Sequence, residues 1–193
     1  MALELNALLL VLAQAFSLLL PITFSGLMLI LCMRKGWLRQ LDIPLDGGLK
    51  LRGEPLIGKS KSVRSLVIYL VIATLVTLGL NLQVQNSDLV ASVYLNNPFV
   101  LGPAITLAYL AGEILNSFVK RRLGIATSAQ ASSKASSLIQ KVFDNVDGIL
   151  STGLVFLYFK VPFEVLLSSG VLAVLMHLGT DILMRRLSLK RKQ

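Results

Sequence analysis

Residues Leu5 to Met33 contain no aspartate, glutamate, lysine or arginine, an unbroken run of 29 positions. About 20 apolar residues suffice for a helix to cross the hydrocarbon of a bilayer, so this run points to a membrane span. It is too long for a signal peptide, and no basic residue precedes it. Pro21 lies inside it and predicts a kink or two half-helices. The rest of the chain agrees with a membrane solution. Of 193 residues, 54% are hydrophobic and only 15% charged, against about a quarter charged in soluble domains. So little polar surface does not cover a soluble globule, and disorder requires low hydrophobicity. The single cysteine, Cys32, sits in Leu-Ile-Leu-Cys-Met and reads as a packed thiol. It can form neither an internal disulfide nor a cysteine metal cage.

Four further apolar segments follow. The expected architecture is an all-α integral membrane protein, a single transmembrane domain over 1–193, with helices at about 5–33, 65–82, 98–118, 144–159 and 162–184. The fourth is short and needs the Asp144–Asp147 turn to approach spanning length. Charge placement tests this count independently. The 34–64 loop holds eight lysines or arginines, 120–141 holds five, and the tail from Arg185 five more. The 83–97 loop holds none, and the turn after the fourth helix only Lys160. Eighteen of 19 basic residues thus fall on one side, which by the positive-inside rule puts the N-terminus outside and the C-terminus in the cytoplasm. The cytoplasmic membrane is the expected location. Trp37 on the inner side, with Tyr94, Tyr158 and Phe159 on the outer, reads as interfacial anchoring. The net charge of +9 therefore has a membrane cause. Nucleic-acid binding is not expected, because no soluble basic module is present. No internal repeat supports inverted transporter halves, and the Ala/Ser-rich stretch 126–140 reads as a flexible loop. The two large inner loops, 34–64 and 119–143, share one face and are the expected walls of a polar cavity open to the cytoplasm.

Three constellations on that face carry chemistry. The first loop contains Pro44-Leu-Asp-Gly-Gly and then Gly53-Glu-Pro-Leu-Ile-Gly-Lys-Ser60, which fits the P-loop expression letter for letter. A P-loop requires a strand before it and a helix after it in an α/β domain; here a membrane helix and a short loop precede, so the NTPase reading is rejected. The residues still suit phosphate: Gly58 permits close backbone approach, and Lys59, Lys61 and Arg64 neutralise phosphate oxygens. A solvated basic loop that only enforces topology is the plain alternative. In the second constellation, Glu113, Ser117 and Lys120 or Arg121 recur at helical spacing and share a face. An acid inside a membrane helix is a functional candidate, or else a partner for a neighbouring arginine. The third is Asp144 and Asp147, two carboxylates at i and i+3. They suit Mg2+, which takes one or two carboxylates plus substrate phosphates; the alternative is a pair of helix-capping acids. His177 and Asp181 form either a proton relay or a packing pair.

These motifs resemble those of the CDP-archaeol synthase family, integral-membrane cytidylyltransferases related to CDP-diacylglycerol synthases. The likeness rests on Pro-Leu-Asp-Gly-Gly at 44–48, Gly-Lys-Ser-Lys-Ser-Val-Arg at 58–64, Gly-Glu-Ile-Leu-Asn-Ser-Phe-Val-Lys-Arg-Arg-Leu-Gly-Ile at 112–125 and Asp-Asn-Val-Asp at 144–147. Glu113 stands where the family usually has aspartate. The resemblance implies transfer of CMP from CTP to a membrane lipid phosphate, giving a CDP-lipid and pyrophosphate. On this reading Glu113, Asp144 and Asp147 hold Mg2+. Gly58, Lys59, Lys61 and Arg64 grip the triphosphate, with Asp46 as a further nucleotide or metal contact. Ser117, Lys120 and Arg121 orient the lipid phosphate. The competing expectation is a non-catalytic protein that binds or moves anionic lipid. Oligomeric state is not legible.

Overall fold

The structure, a computed structural model, describes residues 2–51, 53–58, 61–122 and 147–186. Lys59, Asp144, the 126–140 stretch and the side chains of His177 and Asp181 lie outside the described residues. Among the described residues five α-helices carry the fold: α1 (Ala2–Lys35), α2 (Val63–Val84), α3 (Pro98–Arg122), α4 (Asp147–Tyr158) and α5 (Phe163–Arg186). Among the described residues, three helices, α1, α2 and α3, are long and apolar enough to cross a membrane, and α4 is a shorter apolar one. α2 packs between α1 and α3, and α5 lies along α1. The core runs from Leu18 of α1 through Leu80, Tyr94, Leu101 and Ile105 to Phe156 and Val165. Large apolar side chains such as Phe24, Leu75, Leu115 and Leu154 point outward, as a protein solvated by lipid requires.

α1 passes through Pro21 as one helix, so of the kink and the two half-helices that the proline predicts, the half-helices are excluded. Proline lacks the N–H that would serve the carbonyl four residues back, here that of Ser17. The Tyr94 hydroxyl donates to this Ser17 carbonyl at 2.9 Å and so fills the missing bond. Tyr94 is fully buried as a result, a correction to its expected place as an interfacial anchor. Tyr158, by contrast, is 81% exposed. The segment around Tyr94 is held further by the Ala91 N–H on the Ser17 hydroxyl and by the Asn81 amide on the Tyr94 carbonyl.

The described residues of the 34–64 connection are ordered locally. It contains a 3-10 turn (Arg39–Leu41) and a two-residue hairpin, β1 (Lys50–Leu51) with β2 (Glu54–Pro55), paired antiparallel with Lys50 opposite Pro55. Gly53, with φ of 85°, turns this hairpin. The P-loop look-alike therefore starts inside a hairpin, with Pro55 in its second strand, and among the described residues no buried strand feeds a helix there. Ser62 then caps α2: its hydroxyl accepts from the Ser65 N–H while the Ser65 hydroxyl accepts from the Ser62 N–H, which settles two of the helix's orphan donors. α3 runs one turn past the expected boundary at 118 and takes Lys120, Arg121 and Arg122 into the helix. Basic side chains there complement the negative end of the helix dipole.

Candidate active site

One face of α3 gathers the polar chemistry. Tyr109, Glu113 and Asn116 recur at i, i+4 and i+7 and so project the same way. Glu113 Oε2 lies 2.6 Å from Lys61 Nζ, across from the start of α2, with both side chains largely buried. Its other oxygen accepts from the Tyr109 hydroxyl at 3.2 Å. The Tyr109 ring stacks on Tyr69 of α2, with centroids 5.4 Å apart, which fixes the phenol that holds the carboxylate. Of the two readings of Glu113, an intramembrane ion pair is what the structure displays. Its partner is Lys61 and not one of the arginines that follow it.

α4 brings Asp147 to the same place. Gly112 has no side chain, and α4 begins directly against it; a Cβ there would collide with the Asp147 carbonyl and the Ser151 hydroxyl. Asp147 Oδ2 accepts from the Asn116 amide at 2.6 Å, and Oδ1 accepts from the Gly148 N–H at 2.6 Å. Asp147 is within electrostatic reach of both Glu113 and Lys61. Two carboxylates, one ammonium and an amide thus converge where α2, α3 and α4 meet. Among the described residues, no three histidine, cysteine, aspartate or glutamate side chains gather as a metal cage. The Glu113–Asp147 pair still fits Mg2+ chemically, since that ion is satisfied by one or two hard carboxylates and takes its remaining oxygens from water and phosphate.

Other expected site residues fall elsewhere. Asp46, expected as a nucleotide or metal contact, is bonded as a loop clasp: Oδ1 accepts from the Gly48 N–H and Oδ2 from the Ile57 and Gly58 N–H groups, at 2.9, 2.9 and 3.3 Å. Burial pushes its carboxyl up, but the three backbone donors outweigh that and hold it below the usual carboxylate range. Gly58, at φ of 104°, spends its N–H on this clasp. Arg64 is nearly buried and its Nη2 donates to Asp42 at 3.0 Å, so it braces the start of the same loop. Ser117 is half-buried on α3, Lys120 is half-buried one turn on, and Arg121 is buried.

Sequence reasoning misses three contributors. Arg122 reads as part of a stop signal, but its guanidinium donates to the Leu51 and Pro55 carbonyls at 2.8 and 3.0 Å and lies over the Phe118 ring. It staples the hairpin to α3. Two carbonyls converging on one planar fork leave no trace in a linear pattern. Asn116 and Tyr109 were legible in principle, as polar groups one turn either side of an intramembrane acid.

Comparison with known proteins agrees with this geometry. The sequence model described as CarS-like, CDP-archaeol synthase, matches residues 8–192. A CDP-archaeol synthase of Methanopyrus kandleri is 31% identical over 153 residues, which cover 76% of this chain and 77% of that protein. A solved structure, described as an intramembrane enzyme for archaeal membrane lipid biosynthesis, superposes with a TM-score of 0.63 at 25% identity, over 87% of this chain and 92% of that one.

Proposed function

Because this chain belongs to the CDP-archaeol synthase family, it is a membrane-embedded cytidylyltransferase that uses CTP and a lipid phosphate, and we propose that the junction of α2, α3 and α4 is where CMP is transferred. The lipid is of the archaetidic- or phosphatidic-acid type. A phosphate oxygen of the lipid attacks the α-phosphorus of CTP, the bond to the β-phosphate breaks, and a CDP-lipid and pyrophosphate result. Family membership retires the non-catalytic alternative.

The observation that carries the assignment is the Lys61–Glu113 ion pair set beside Asp147 at the end of an apolar helix. Charges in such a place are expensive and mark a functional site. Glu113 and Asp147, with Asp144 preceding α4, would hold Mg2+, which when bound screens the phosphate charge and eases pyrophosphate departure. Lys61, with Lys59 from the loop before it, would meet the triphosphate oxygens. Asp46, Arg64 and Arg122 serve this step indirectly by fixing the loop that leads to Lys61. Ser117, Lys120 and Arg121 would orient the lipid phosphate for in-line attack. The excess of lysine and arginine in the loops beside it supports a site at the cytoplasmic face of the cytoplasmic membrane.

Purified protein given CTP, Mg2+ and either an ether-linked or an ester-linked lipid phosphate should release pyrophosphate and form the corresponding CDP-lipid, and chelation should stop both. Absence of pyrophosphate with every lipid phosphate sinks the reading. Reporter fusions at Asp88 and at the C-terminus should fall on opposite sides, with the tail inside; both on one side would remove the cytoplasmic placement.

A further inference from the structure

Two glycines let α3 and α4 meet beside the candidate active site, and each adjoins one of its carboxylates. Gly112 precedes Glu113, and a Cβ on it would collide with the Asp147 carbonyl and the Ser151 hydroxyl. Gly148 follows Asp147, and a Cβ on it would collide with the Tyr109 ring. The gap between the two carboxylates is therefore set by how closely α4 lies on α3. At the second of these points, what α4 lies against is Tyr109. The ring is held from α2 as well: it stacks on Tyr69 with the two planes 12° apart. Tyr69 is itself buried, and its carbonyl accepts from the Thr106 hydroxyl at 3.2 Å. The first turn of α4 thus rests on a ring that has no room to retreat.

The same residue reaches the other carboxylate. Its hydroxyl donates to Glu113 Oε1 at 3.2 Å, while Lys61 holds Oε2 at 2.6 Å. When Lys61 turns to a phosphate, Tyr109 stays on Glu113. One side chain therefore touches both halves of the pair, with its hydroxyl on Glu113 and its ring against the residue after Asp147. A fixed gap matters to a cation. Mg2+ demands near-ideal octahedral oxygens at about 2.0–2.1 Å, whereas Ca2+ accepts more oxygens at about 2.3–2.6 Å in a flexible arrangement. Choice between them follows cavity size and rigidity.

We propose that Tyr109 is a positioning residue that sets the gap between Glu113 and Asp147, and that it thereby selects Mg2+ over a larger divalent cation. The proposal rests on the reading of those two carboxylates as metal ligands given above. Ring and hydroxyl make separable contributions. Without the hydroxyl, Glu113 is free to swing once Lys61 leaves it. With the hydroxyl intact but the ring displaced, Asp147 moves with α4 and the gap widens. Either change removes the rigidity that a small ion needs and a large ion does not.

The test reads metal binding without substrates. The purified full chain in detergent micelles is loaded with Mn2+, followed by the electron paramagnetic resonance of the free ion, and the Mn2+ is displaced with Mg2+ or with Ca2+. Tyr109→Phe removes the hydroxyl and keeps the ring; Gly148→Ala keeps the hydroxyl and displaces the ring. Tyr94→Phe, which weakens the bundle at its other end, is the control. The ratio of Mg2+ to Ca2+ affinity should fall on the order of tenfold in each of the first two variants and hold in Tyr94→Phe. In parallel, CMP transfer should need more Mg2+ and become more sensitive to inhibition by Ca2+. Equal weakening of both cations in Tyr109→Phe, or an unchanged ratio, overturns the proposal and makes Tyr109 a packing residue, whether or not Gly148→Ala folds. No Mn2+ bound by the unmodified protein overturns the metal reading itself, and the role of Tyr109 with it.

Discussion

At the end of the bundle where α2 gives way to α3, the partners are neutral and buried: Tyr94 on the Ser17 carbonyl, Ala91 on the Ser17 hydroxyl, Asn81 on the Tyr94 carbonyl. At the end where α2 begins and α3 stops, they are charged: Lys61 with Glu113, Arg64 with Asp42, Asn116 with Asp147. Both ends are well bonded, but they respond differently to a ligand. A buried neutral hydrogen bond has no better partner to move to, and breaking it leaves an unsatisfied group. An ion pair is different. Its carboxylate can accept a cation while its ammonium accepts a phosphate, and neither charge is left alone. The first end builds a fixed shape; the second can exchange partners, as the proposed binding of Mg2+ and CTP requires.

The largest effect that separates the two ends is expected at the carboxylates. Asp147→Asn keeps the oxygen that accepts from Asn116 but removes the charge a hard cation requires, and Glu113→Gln does the same beside Lys61. Each should lower CMP transfer on the order of a hundredfold or more while the protein remains folded and inserted. Near-normal CDP-lipid formation by both variants would reduce the charged end to an architectural ion pair.

A smaller loss is expected one step back from the charge. Asn116→Ala leaves Asp147 intact and removes the amide that orients it. A partner in this position commonly costs about 10–100-fold in metal affinity or activity when removed. The Mg2+ concentration needed for half-maximal rate should rise, and excess Mg2+ should recover part of the activity. A loss that Mg2+ does not touch would make Asn116 a packing residue.

At the neutral end the prediction concerns stability and not rate. Tyr94→Phe strands the Ser17 carbonyl that Pro21 cannot serve, at a cost of about 1–3 kcal/mol. Pro21→Ala restores the missing backbone N–H, so in that background Tyr94→Phe should cost much less. Thermal unfolding of the four proteins in the cycle gives the coupling. Additive losses would mean that Tyr94 does not repair the proline. CMP transfer per folded molecule should be the same throughout.

The proline shows where sequence reading stops. The apolar runs and the charge asymmetry locate the helices, because hydrophobicity and the bilayer act on every residue of a segment at once. The carbonyl that Pro21 leaves without its N–H is met by the Tyr94 hydroxyl, 73 positions beyond the proline along the chain, and no local pattern records that. The site divides in the same way. Glu113 and Asp147 stand out because a carboxylate beside hydrocarbon is costly wherever it is. Arg64 and Asp46 carry equally conspicuous charges, but their partners, Asp42 and three backbone N–H groups, are set by how one loop closes. A charge in such surroundings must be answered by some partner; only the fold says whether that partner is a ligand or the loop itself.

The smallest predicted effect tests that last distinction at Asp46. Burial alone would raise its carboxyl, but the N–H groups of Ile57, Gly48 and Gly58 hold it below the usual range. A carboxylate depressed in the folded state stabilises above its unfolded value of about 3.9, and that contribution is lost only as pH falls through the lower folded value. The clasp should therefore be insensitive to pH from about 7 down to about 5 and loosen only in stronger acid. Protection of the Gly48 and Ile57 amides, corrected for the intrinsic pH dependence of exchange, reads this directly. Asp46→Asn retains one acceptor oxygen and replaces charge-assisted bonds with weaker neutral ones, so protection at neutral pH should drop severalfold and stay flat across the same window. Because the clasp fixes the loop leading to Lys61 without touching Glu113 or Asp147, KM for CTP should rise modestly with little change in kcat. A collapse of kcat comparable to that of Asp147→Asn would return Asp46 to the nucleotide or the metal, and the protection of Gly48 and Ile57 would then be incidental.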